Sequence, residues 1–82
     1  MNQYIVMEQR VSDGRVLKCC GIKKSFDGAL GRLFRCILNE YNFKNRIVQE
    51  DFGSTTDIVD SYMVDDSVRF FIIPFDECLE DI

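Results

Sequence analysis

Histidine is absent from this 82-residue chain. A Ser/His or Cys/His nucleophile pair therefore cannot be assembled within one protomer. A mixed Cys/His zinc site is excluded for the same reason, and the four cysteines, Cys19, Cys20, Cys36 and Cys78, form no CxxC spacing. Cys19 and Cys20 are adjacent, so in a strand they point to opposite faces and could not easily grip one ion together. Reduced, partly buried thiols without a metal are the expectation. Asp57, Asp60, Asp65 and Asp66 lack the EF-hand order of oxygen ligands. Gly28-Ala29-Leu30-Gly31 lacks the GK[ST] ending of a phosphate loop. Nothing in the sequence places two carboxylates in a cleft for acid/base work. An enzyme is the class the sequence supports least, and no cofactor is implied.

Apolar runs of the roughly 20 residues a membrane span needs are missing too. The opening Met1-Asn2-Gln3-Tyr4 lacks the basic-then-apolar order of a secretory signal, so an intracellular, cytoplasmic protein is expected. There is one proline, and no repeat, linker or low-complexity stretch interrupts the chain. Residues 1–82 are read as a single domain. Hydrophobic residues make up 46%, with seven Phe and three Tyr, which suits a folded chain rather than a disordered one. A domain this small buries only about 60–65% of its unfolded surface, so association with a partner could supply part of its stability.

Basic residues nearly vanish after Arg46. Up to that position nine Lys/Arg face four Asp/Glu, a net of +5; beyond it Arg69 alone faces ten Asp/Glu, a net of −9. The overall −4 conceals a bipolar molecule, a property that bears on partners and self-association rather than on fold.

What is present reads as alternating and helical patterns. Tyr4 to Val11 and Arg15 to Ile22 are β-prone runs on either side of Ser12-Asp13-Gly14. A type I′ turn at Asp13-Gly14 would set Val11 against Val16, Gln9 against Lys18, Met7 against Cys20 and Ile5 against Ile22. That face is expected to look inward, leaving Tyr4, Val6, Glu8, Arg10, Leu17 and Cys19 outside. A helix follows from Phe26 to Tyr41, with Ser25 as N-cap, Asp27 at the positive dipole end and Asn42 in the C-terminal left-handed position. Phe26, Leu30, Leu33, Phe34, Ile37, Leu38 and Tyr41 form its apolar stripe, and Gly28, Gly31, Arg32, Arg35 and Asn39 its other side. Ile47, Val48 and Phe52 fit a short strand or an anchored loop. Ile58 to Val64 and Val68 to Ile73 read as a second hairpin around Asp65-Asp66-Ser67. Its register sets Val59, Ser61 and Met63 on one face with Val68, Phe70 and Ile72. A helix over Ile58–Val64 competes, but the β-branched and aromatic content favours strand. Pro74 ends that strand or marks an edge, and Phe75, Cys78, Leu79 and Ile82 fit a short C-terminal helical turn.

The expected architecture is α+β: two antiparallel hairpins in a four-stranded sheet with one helix on one face, ββαββ. The helix covers one side, so Tyr4, Leu17, Tyr62, Phe71 and Ile73 are expected to form an uncovered apolar sheet face and to carry a protein contact, the partner being a second copy or another protein; the competing reading folds the Asn42–Thr56 segment and the C-terminal turn over that face. A second reading uses Asp65, Asp66, Asp76 and Glu77 as a carboxylate array that imitates a nucleic-acid backbone. Such an inhibitor, of a kind a virus or mobile element encodes, would block a basic protein. Lys23, Lys24, Arg32 and Arg35 form the main basic group, and a third reading gives Arg32 and Arg35, on the exposed helix face, a phosphate contact. The lack of an aromatic on that helix face and the acidic second half argue against nucleic acid there.

Overall fold

In the computed structural model, residues 2–41, 44–52 and 57–76 are described. Their elements are β1 (Asn2–Arg10), β2 (Val16–Lys23), α1 (Phe26–Glu40), β3 (Ile47–Glu50), β4 (Asp60–Val64) and β5 (Val68–Asp76). The strands make one antiparallel sheet in the order β2-β1-β5-β4-β3. The α+β class is as the sequence implied, but the four-stranded ββαββ outline is corrected to five strands and ββαβββ. The added strand is β3, which pairs along β4 from Ile47 against Val64 to Glu50 against Ser61. Four residues with two adjacent apolar ones carry too little alternation to declare a strand; pairing with β4 makes it one.

The helix starts where its cap residue predicts. Ser25 is extended, and its Oγ accepts the Gly28 N–H at 3.0 Å, satisfying one of the orphan donors of the first turn. At the other end the Tyr41 N–H bonds back to the Ile37 carbonyl at 2.8 Å. Asn42, expected as the left-handed C-terminal residue, lies outside the described residues, as does most of the expected C-terminal turn; Phe75 belongs to β5. Ala29, Leu33, Cys36 and Ile37 are buried against Val6, Cys20, Phe70 and Ile72 of the sheet. This stripe is rotated from the expected one. Ala29 and Cys36 join the core, while Phe34 and Leu38 remain exposed.

The first hairpin departs from its expected turn and the second from its expected register. Asp13 has no positive φ, so the first hairpin is not closed by a type I′ turn. It is a wider loop, with the Gly14 N–H on the Arg10 carbonyl and the Arg10 N–H on that of Arg15. Gly14 takes φ +71°, and Asp13 accepts the Arg15 N–H and pairs with Arg10. In the second hairpin Asp65 and Asp66 both take positive φ, 52° and 58°, a conformation that short polar side chains tolerate. Ser67 then sits outside the ladder, its N–H and Oγ both donating to the Val64 carbonyl. Val64 therefore pairs with Val68, Tyr62 with Phe70 and Ser61 with Phe71, one residue away from the expected register. A one-residue slip moves every β4 side chain to the other face.

Bulges shift β2 against β1 as well. Ile5 pairs with Ile22 as expected, but Met7 faces Cys19 and Gln9 faces Val16, leaving Cys20 and Leu17 as extra residues. The helix packs on the side of Tyr4, Val6 and Glu8, the reverse of the expected assignment. Both faces of β1 are apolar enough to be buried, so alternation alone does not say which one the helix takes. Pro74 lies within β5, opposite Tyr4. The Ile72 carbonyl accepts from Val59 on the β4 side, and Pro74, two residues on, faces that same side beyond the end of β4, where its missing N–H costs no ladder bond.

No helix among the described residues is long and apolar enough to cross a membrane.

Candidate interaction surfaces

Three surfaces stand out once the helix is in place. The first is the sheet face opposite α1. Direct pairing puts opposite residues on the same face, so it is built of cross-strand rows. One row is Ile22, Ile5 and Ile73 on β2, β1 and β5. The next is Cys19, Met7, Phe71, Ser61 and Glu50, running from edge to edge. A third is Val16, Gln9, Arg69, Met63 and Val48. Ile22 is 55% exposed and Ile5, Met7 and Ile73 are half-buried, whereas Phe71 is buried in the middle of the sheet.

Of the five residues expected on this face, the structure brings Phe71 and Ile73 together there. Leu17 is exposed at a β2 bulge. Tyr4 and Tyr62 lie on the helix side: Tyr4 packs edge-on to Phe26 at 6.1 Å, and Tyr62 against Phe34 at 4.8 Å. Sequence reasoning missed Ile5, Met7 and Ile22, because it assigned that face of the first hairpin to the core.

One end of the same face is polar. Arg69 on β5 donates from Nε to Glu50 Oε1 at 2.6 Å and from Nη2 to Oε2 at 2.9 Å. Its Nη1 donates to Gln9 Oε1 at 3.0 Å, and Ser61 Oγ donates to Glu50 Oε1 at 2.9 Å. The Arg69 hydrogen bonds, and then that of Ser61, hold the Glu50 carboxyl below the usual range in spite of its burial. The Phe52 ring covers Arg69, with the guanidinium carbon 5.1 Å from its centroid. Phe52, two residues beyond β3, thus caps this polar corner.

The second surface is a cavity of about 280 Å³ lined by Lys23, Asp27, Gly28, Gly31, Arg32 and Arg35. It joins Arg32 and Arg35 with a lysine from the end of β2. Arg32 Nε donates to the Cys20 carbonyl at 2.8 Å, satisfying the bulge, and its aliphatic part packs over Gly21. Gly28 is close to Lys23 and Ser25, but nothing of the chain approaches the position of a Gly31 side chain.

The third is the set of acidic residues, and it is not gathered. Asp65 and Asp66 form the β4–β5 turn, while the backbone of Asp76 is at the far end of the nine-residue β5. At about 3.3 Å per residue the two ends are roughly 30 Å apart. Asp65 Oδ1 accepts the Arg46 N–H at 2.7 Å and its other oxygen bonds Asn45, so this carboxylate anchors the start of β3; these contacts lower its pKa. Glu77 lies outside the described residues.

Elsewhere, Cys20 and Cys36 are buried in the core, and burial followed by the Cys36 contact pushes the Cys20 thiol up to about 12. Such a thiol is not a nucleophile at neutral pH. Among the described residues no three Cys, Asp or Glu side chains gather to hold a metal ion. No family model, curated protein or solved structure matches the chain.

Proposed function

We propose that the protein is a small, non-enzymatic interaction module that self-associates through the sheet face opposite α1. The observation that carries this reading is the row Ile22–Ile5–Ile73 beside Met7: an apolar surface crossing three strands, with Ile22 55% exposed. Two such faces can stack as sheets do in a sandwich, about 10 Å apart, and remove each other's apolar side chains from water. Phe52 covers the Arg69 end and leaves the Ile22 end available. A second copy is the occupant because the face is self-complementary in chemistry and the domain too small to be strongly stable alone. We place the module in the cytoplasm, where a reducing environment suits the free thiols of Cys19, Cys20 and Cys36.

The test is native mass by light scattering after size exclusion, at low and high salt, for the natural chain and for Ile22→Lys. Ile22 is exposed enough that the lysine folds without loss. A dimer at both salt concentrations, reduced to a monomer by Ile22→Lys, supports the proposal. A monomer at every concentration, or a dimer that Ile22→Lys leaves intact, removes it.

A further inference from the structure

The cation-lined cavity lies beside a free sheet edge, and the two together have a use that the opposite sheet face does not share. β2 is an edge strand, bonded only to β1. The Arg10 N–H turns toward β2, and that of Val11 turns toward Ser67 beside β5. In β1, even-numbered residues therefore bond toward β2 and odd-numbered ones toward β5. Ile22, opposite Ile5, consequently turns its own N–H and C=O outward, away from the sheet. Next to it, Lys23 lines the cavity from β2, and Asp27, Gly28, Gly31, Arg32 and Arg35 line it from α1, with open space where a Gly31 side chain would stand. The lining carries three cations against Asp27 alone. Among the described residues neither Lys23 nor Arg35 forms an ion pair with a carboxylate.

We infer that this groove receives an extended, acidic segment of a partner protein, which adds to β2 as a further strand. The outward N–H and C=O of Ile22 supply the main-chain pairing, and alternate side chains of the incoming strand point to the helix side. Carboxylates at those positions meet Lys23, Arg32 and Arg35. The open space above Gly31 gives such a side chain room. Charge chooses the occupant. A second β2 pairing edge to edge would bring two basic clusters together, which disfavours self-pairing. Nucleic acid would find no aromatic among the lining residues to stack on and would face the acidic half of the chain.

The experiment is an amide chemical-shift titration of the full chain with three probes: a short peptide of alternating Glu and Val, the same peptide with Lys for Glu, and a single-stranded RNA oligonucleotide. The Glu-Val peptide should shift the amides of Ile22, Lys23, Gly28 and Gly31, slow hydrogen exchange at Ile22, and weaken as salt rises. Arg35→Glu should weaken it by about tenfold or more, and Gly31→Leu, which fills the open space at that position, should abolish it. Both variants leave the opposite sheet face untouched, so the light-scattering mass stays as in the natural chain and the two sites fail or stand separately. The inference is overturned if the Glu-Val peptide leaves these amides unmoved, if the Lys-Val peptide moves them equally, or if RNA binds there more tightly than the peptide.

Discussion

Arg69 and Glu50 are joined by two hydrogen bonds, 2.6 and 2.9 Å, although a whole strand lies between the strands that carry them. The pair bridges β5 to β3 over β4, where the fully buried Ser61 sits beneath and donates a hydroxyl hydrogen bond to the same carboxylate. Side chains of Arg69 and Glu50 are only 21% and 17% exposed, so the pair is shielded well beyond what a surface ion pair enjoys. The short β3 depends on it for part of its attachment.

Removing one partner is therefore expected to cost more than removing both. Arg69→Met should destabilise by about 2–3 kcal/mol, since it leaves a half-buried carboxylate with Ser61 alone. Arg69→Met combined with Glu50→Gln should recover part of that loss, and a double-mutant cycle from urea unfolding should give a coupling of about 1–3 kcal/mol. Additive effects would mean that the two side chains do not act as a pair.

The two shielded glutamates should respond oppositely to pH. The folded pKa of Glu50 lies below its unfolded value near 4.5, chiefly through Arg69, so its stabilisation is present above that value and is lost as pH falls through the folded pKa. Glu8 is buried beside β2, near Lys18 and Glu40. Burial first, then the Glu40 charge, raise its pKa above 4.5, and Lys18 offsets this only in part. Its ionised form therefore opposes folding once the pH exceeds the folded pKa. Glu8→Gln should raise the Tm at neutral pH and lose that advantage well below pH 4.5, while Glu50→Gln should lower the Tm at neutral pH and matter little in acid. Thermal melts across this range check both signs.

How far the sequence reached is visible in the same residues. Ser25 and the apolar spacing after it were enough to place α1, because capping and periodicity are local. The register of the second hairpin was not legible. Asp65-Asp66 with positive φ is a turn usually advertised by glycine, and Ser67 leaves the ladder through bonds to Val64 that no spacing announces. That one-residue slip moved Tyr62 to the helix side. Tyr4 went the same way for a different reason: Ile5 and Met7 alternate with Tyr4 and Val6, and packing of the helix decides between two apolar faces. The basic cavity was largely legible, since Lys23, Arg32 and Arg35 belong to the basic group read from the sequence, but only the fold sets Lys23 of β2 beside the two arginines of α1.

The two helix glycines should separate in a stability assay. A methyl at Gly31 meets nothing within 4 Å, so Gly31→Ala should gain about 1 kcal/mol from helix propensity alone. At Gly28 the new Cβ would come within 3.0 Å of Ser25 Oγ, the oxygen that caps the helix. Gly28→Ala should gain less or nothing, because the cap must give way. Urea midpoints for the two variants test this, and equal gains would show that the cap tolerates the methyl.

Thiol labelling offers a direct check on the core. Cys19 is exposed on the open sheet face, whereas Cys20, its neighbour, is turned into the core, where burial keeps its thiol protonated with a pKa of about 12. Cys36 is buried beside it on α1 and donates toward the Cys20 carbonyl, so both thiols are enclosed between helix and sheet. Only a thiolate attacks an alkylating reagent, and it must also be reached. In the folded protein iodoacetamide should modify Cys19 and leave Cys20 and Cys36 intact, with all three reacting in urea; mass spectrometry of the digested peptides reads each position. Rapid native labelling of Cys20 alongside Cys19 would mean that the β2 bulge opens readily and that Arg32, which holds the Cys20 carbonyl, does not keep it closed.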